Sequence, residues 1–187
     1  MRKKRPSPKQ AKRRVARSTA HETAPSNHSR AQWAVLCYLA GDLVPPLSDE
    51  IQSDLAEILA AGASPELAIA VQYDGPDGAL RYVLPTHPNP KLPPVERLGR
   101  VDSGSAIVLA DFLRWGLSVC PAERVALVLG GLNALDPSAA EDAEGKCGSR
   151  VFTLCRDDSC GGYLDVVDLG AVIRDVQAEQ CDDRSLL

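Results

Sequence analysis

The sequence predicts an α/β domain, a sheet flanked by helices, behind a basic tail. Three observations point to it. QWAVLCYLAG (32–41) and the Val125–Val128 run in RVALVLGG are short, continuous apolar stretches, the pattern of strands covered on both faces. Between them lie segments whose apolar residues recur three and four apart, the period of a helix. The resulting order is β, α, β, β, α, β, loop, β, α, which packs most economically as one sheet with helices on both faces.

Taken in order, residues 1–30 come first. They hold almost no large apolar residue and are rich in Lys, Arg, Ser and Pro. Such a segment cannot bury enough surface to offset its ordering entropy, so it is expected to be a disordered tail before a domain at 31–187. After the strand at 32–41, Pro45-Pro46 interrupts the chain and Ser48 or Asp49 is placed to cap a helix. Ile51, Leu55, Ile58 and Leu59 form its apolar face, and Gly62 ends it. ELAIAVQYD (66–74) reads as the second strand, GPDG (75–78) as a turn and ALRYVLP (79–85) as a third strand in a hairpin with the second. THPNPKLPPVERLGRVD reads as a surface connection. A helix is expected over 103–121, with Ser103 or Ser105 as cap and Ile107, Leu109, Phe112, Leu113 and Leu117 on one face. The strand at 125–129 follows, then a polar loop at 136–150. RVFTLCRDD (150–158) reads as a short strand or hairpin. The final helix covers 166–179, with Val167, Leu169, Val172, Ile173 and Val176 apolar.

Charge and cysteines narrow the function. Residues 1–30 carry about +9 and residues 31–187 about −13, giving the net −4. The domain is therefore a poor partner for a polyanion, and only the tail suits nucleic acid or an anionic surface. The tail has no aromatic residue to stack on bases, which favours a solubilising extension. No apolar run is long enough to span a membrane, and no secretory signal is recognisable, so a cytoplasmic protein with reduced thiols is expected. Cys37 and Cys120 fall in apolar patterns. Cys147, Cys155 and Cys160 form no close pair and have no histidine nearby, which argues against zinc.

QWAVLCYLAGDLV, ELAIAVQYDGPDGALRYVLP, LADFLRWGLSVCPAERVALVLGG and RDDSCGGYLDVVDLGAVIRD, in that order, resemble the N-terminal half of the clostripain-like cysteine peptidases. The resemblance covers roughly residues 33–180, and DFLRW with PAERVALVL is its most specific part. It implies a caspase-like sheet, incomplete at the C-terminus, and a Cys-His dyad. A peptidase of this kind needs a thiolate nucleophile and an imidazole to manage protons. In the family the histidine follows the strand matching 125–129. Leu132 stands there in this sequence, and leucine transfers no proton. The nucleophile's strand would begin about where the sequence stops, at Leu187, and Cys181 comes too early for it.

No other histidine replaces it. His21 and His28 lie in the tail, and His87 reads as a bystander in the Pro-rich connection. Cys147 has no base near it in sequence. The family's activation cleavage makes Lys146-Cys147 a candidate processing site, against the plainer reading of a surface lysine. The resemblance admits calcium as its one cofactor. Asp157, Asp158 and Asp165 lack the spacing of a calcium-binding helix–loop–helix and read as a solvated acidic turn. The function expected is that of a peptidase homologue, inactive or truncated. One alternative is a non-catalytic subunit completed by a second polypeptide, with self-association as a corollary. Another is nucleic-acid or anionic-surface binding through the tail.

Overall fold

A computed structural model describes residues 30–136 and 151–184. Strand β1 (Ala31–Ala40) is followed by helix α1 (Leu47–Ala61), the hairpin β2 (Leu67–Gly75) and β3 (Gly78–Val83), and β4 (Glu96–Gly99). Helix α2 (Ala106–Val119) and strand β5 (Ala122–Gly130) come next. The short strands β6 (Ala134–Asp136), β7 (Val151–Leu154) and β8 (Leu164–Asp165) precede helix α3 (Val166–Arg184). The main sheet runs β4-β3-β2-β1-β5, and β6-β7-β8 form a separate antiparallel ribbon. β1 pairs in parallel with both β2 and β5, while β3 and β4 add antiparallel.

Side chains alternate across a pleated strand, so β1 serves two cores at once. Ala34, Leu36, Tyr38 and Ala40 face α2 and α3, meeting Leu109, Phe112, Leu113, Val172 and Val176. Cys37 and Leu39 face α1, meeting Leu55 and Leu59 together with Val71 and Tyr73 of β2. The predicted sheet with helices on both faces is thus the observed one. The predicted hairpin forms as well, with Gly75 paired to Gly78 across Pro76-Asp77.

Several expectations are corrected. The 86–102 connection contains β4, because Arg81 of β3 reaches across to Glu96 and the Val95 amide donates to the Arg81 carbonyl. The RVFTLCRDD strand has partners on both sides, β6 and β8. α1 begins at Leu47, so Ser48 and Asp49 lie inside its first turn; Pro46 holds the cap position without a side-chain bond. Ser105 likewise caps α2 by backbone position alone. Ile107 and Val167 point outward, because each sits in the first turn of its helix, ahead of the residues that meet the core. β5 is not covered on both faces. Among the described residues it has β1 as its one neighbouring strand, and Val125 and Val128 are exposed. The tail at 1–29, the loop at 137–150 with Lys146 and Cys147, and residues 185–187 lie outside the described residues.

Candidate functional site

In sheets with parallel strands and helices on both faces, ligands gather at the carboxyl ends of the strands. Here those ends are Ala40 of β1, Asp74-Gly75 of β2 and Gly130 of β5. Gly131 turns the chain away with φ +148°, and a Cβ there would meet the Ala40 Cβ and carbonyl oxygen at 3.0 Å. Only glycine lets β5 and β1 end this close together. Leu132 follows, half-buried, with its carbonyl accepting from the Arg156 amide at 3.5 Å. The Asn133 Oδ1 accepts from the Cys155 amide at 3.4 Å. This strand end thus offers backbone and an aliphatic side chain.

Loop 155–163 closes over this end of the sheet. Its anchor is Asp157, with no exposed surface. One carboxylate oxygen accepts from the Ser103 amide (3.1 Å) and hydroxyl (3.4 Å), and the other from the Cys160 amide (2.8 Å). The Asp158 amide donates to the Asp42 carbonyl, and the Asp158 carboxylate accepts from the Val44 amide. Gly104 and Gly162 let the loop press onto the turn before α2. A Cβ on Gly104 would fall 2.2 Å from the Gly162 carbonyl carbon. The Tyr38 hydroxyl closes the arrangement, donating to the Ser103 carbonyl at 3.0 Å.

The acidic turn is therefore no solvated cluster. Asp157 is a buried acceptor. Asp158 pairs with Arg156 at 2.9 Å while holding Val44. Asp165 takes the Asp168 amide at 2.7 Å at the start of α3. The three carboxylates serve three different backbone segments. Among the described residues no group of histidine, cysteine and acidic side chains is arranged to hold a metal ion, so calcium has no fitting ligand set there.

The four described thiols, Cys37, Cys120, Cys155 and Cys160, are unsuited to nucleophilic work. Burial pushes Cys155 up to about 12, and Cys37 and Cys120 up to about 11. Cys160 is exposed, with its sulfur on the Val101 carbonyl. Its pKa is raised by local desolvation and then by Asp157, Asp102, Asp74 and Asp42. His87 is exposed and lies against Gly62, at the end of α1 and so at the opposite end of the sheet.

Asp74 went unnoticed in the sequence. It is buried at the carboxyl end of β2, and its Oδ2 meets no donor among the described residues. Desolvation raises its pKa to about 7, with Asp157 and Asp42 adding to the shift. The signal was available, since an aspartate closes the otherwise apolar run LAIAVQYD.

The fold is similar to that of solved structures over part of the chain. A secreted C11 cysteine protease from Bacteroides thetaiotaomicron, solved with an irreversible peptide inhibitor, superposes with a TM-score of 0.53 at 17% identity, over 77% of this chain and 39% of that one. A B. fragilis cysteine protease superposes with a TM-score of 0.47 at 17% identity, over 59% of this chain and 98% of that one. No protein-family model and no curated protein matches the sequence. The fold is thus the caspase-like α/β arrangement of the C11, or clostripain-like, cysteine proteases. This chain spans 39% of the length of the Bacteroides thetaiotaomicron enzyme.

Proposed function

We propose that this chain is a clostripain-like peptidase homologue that does not cleave peptides itself and acts through interactions. The observation that supports the reading is the end of β5, where Leu132 stands at the position the family resemblance gives to the general base. The thiols around it support the same reading, being buried or set among carboxylates, neither of which favours a thiolate. Fluorogenic Arg and Lys peptides, with and without calcium, test it. No turnover is expected. Turnover that is lost with Cys147→Ala or His87→Ala would overturn the reading.

The edge of β5 favours a second reading, a subunit completed by another polypeptide. β5 leaves one row of backbone groups unpaired with any described strand, a template for strand addition. Beside it runs a groove of about 650 Å³ lined by Leu36, Leu113, Leu117, Leu127, Ile173 and Val176. The chain alone should then self-associate or be marginally stable. Light scattering at low micromolar concentration with a urea melt checks this. A cooperative monomer with about 5–15 kcal/mol of stability would count against it.

A further inference from the structure

On the reading of β5 as an edge completed by another polypeptide, we propose that this polypeptide is a second copy of the chain, its own β5 paired antiparallel across a two-fold axis at Leu127. The edge sets the chemistry of the strand it takes. By the register of β5 on β1, Val125, Leu127 and Leu129 share a face with Ala34, Leu36 and Tyr38, while Arg124, Ala126 and Val128 share the other with Trp33, Val35 and Cys37. Apolar surface is open on both faces. Val125 is 43% exposed on the first, and Val128 and Trp33 are 44% and 41% exposed on the second. An added strand must therefore be apolar on both of its own faces, or it buries polar groups without partners.

Among the described strands, β5 itself meets this demand and has an edge to offer. β1, β2 and β3 are paired on both sides, and β4, at the far edge of the sheet, carries Glu96 and Arg97. The ribbon strands β6, β7 and β8 are only three, four and two residues long.

Two β5 strands are complementary in one register. Facing residues of an antiparallel pair lie on the same side of the sheet, so the two-fold must pass through a facing pair of one residue with itself. At Leu127 it sets Val125 against Leu129 and Ala126 against Val128, so the whole 125–129 run meets apolar partners. The charged start of the strand, Glu123-Arg124, then falls against Gly131 and Gly130 of the other copy, where no side chain competes for the space. An axis at Ala126 would instead set Arg124 against Val128 and Glu123 against Leu129, placing charge within the apolar stretch. An axis at Val128 would spend Val125 and Ala126 on the two glycines.

The pairing is isologous and joins two five-stranded sheets into one, with α2 and α3 of both copies on one side and both α1 helices on the other. The groove of about 650 Å³ beside each β5 is bordered by the other copy. Each copy also sets its Arg124 beside Gly130 of the other, two positions before Leu132, so two chains form the strand end of the candidate site.

Sedimentation equilibrium of the full chain at low micromolar concentration should give twice the 20.0 kDa chain mass. Leu127→Cys reads the register. Facing Cα atoms of an antiparallel pair are about 4.5–5.5 Å apart, within disulfide reach, whereas Val125→Cys would lie roughly 13 Å from its counterpart. Under oxidised glutathione, Leu127→Cys should give at least tenfold more covalent dimer than the wild type, and Val125→Cys should match the wild type. Val128→Glu, at an exposed position, should weaken the dimer at least tenfold, and it decides the matter if Leu127→Cys does not fold. A dimer that Val128→Glu leaves intact, or crosslinking as frequent in Val125→Cys as in Leu127→Cys, overturns the proposal. A monomeric wild type overturns it too. If that monomer is marginally stable, the edge belongs to a different polypeptide and the reading of β5 as a completed edge stands; if it unfolds cooperatively with ordinary stability, that reading falls as well.

Discussion

Arg81→Met tests how β3 and β4 are held to the rest of the sheet. The Arg81 side chain is 5% exposed. Its Nε donates to the Gln72 Oε1 at 2.8 Å, Nη1 meets Glu96 at 3.2 Å and Nη2 meets Asp111 at 2.6 Å. The guanidinium also lies 4.8 Å over the Trp115 ring. Methionine fills most of the stem's volume, so the loss is chiefly polar. Glu96 and Asp111 are 41% and 67% exposed and regain water when the cation leaves, so these pairs contribute only about 0.5 kcal/mol each. Gln72 is different. It is 1% exposed, its Nε2 already has no partner among the described residues, and stranding Oε1 costs about 1–3 kcal/mol. The lost cation–π contact adds about 1 kcal/mol. The sum, about 3–5 kcal/mol, corresponds to a fall of roughly 6–20 °C in Tm for a chain of this size. Calorimetry or near-ultraviolet circular dichroism reads it. An unchanged or higher Tm would refute the reasoning, because desolvation of the guanidinium would then outweigh everything it binds.

Gly104→Ala should be as damaging as a buried cavity. Its Cβ would meet backbone of Gly162 and Tyr163 at 2.2 Å, which no rotamer can relieve, so loop 155–163 must move. A loss of about 2–3 kcal/mol in a urea melt is expected, and one under about 0.5 kcal/mol would show that the loop is not seated as described. Leu132→His should supply an imidazole without giving turnover, because Cys155, whose amide donates to the neighbouring Asn133, has no exposed surface. Peptide turnover by Leu132→His that disappears with Cys155→Ser would refute this. Phe112→Ala removes a ring with no exposed surface that packs on Tyr38 at 5.5 Å, and should cost about 3–5 kcal/mol by thermal or urea melting.

Local pattern carried most of the fold. The apolar run of β1, the spacing of Leu55 and Leu59 in α1, the Gly75–Gly78 turn and the Leu109, Phe112 and Leu113 face of α2 are readable because each is set within a few residues. Leu132 at the strand end was legible for the same reason: a strand, a glycine pair and the next residue lie in line. What remained hidden depends on contacts between residues far apart in the chain. ERLG has the polarity of a connection, and it becomes β4 because Arg81, fifteen positions earlier, places a buried cation against Glu96. Asp157 looks like a surface acid beside Asp158, and it is buried because Ser103, fifty-four positions away, presents its amide and hydroxyl to it. Asp74 ends a strand in either view. Its raised pKa is a property of the space between β2 and loop 155–163, where desolvation acts first and the Asp157 and Asp42 carboxylates add to it, and neither is encoded within reach of a local pattern.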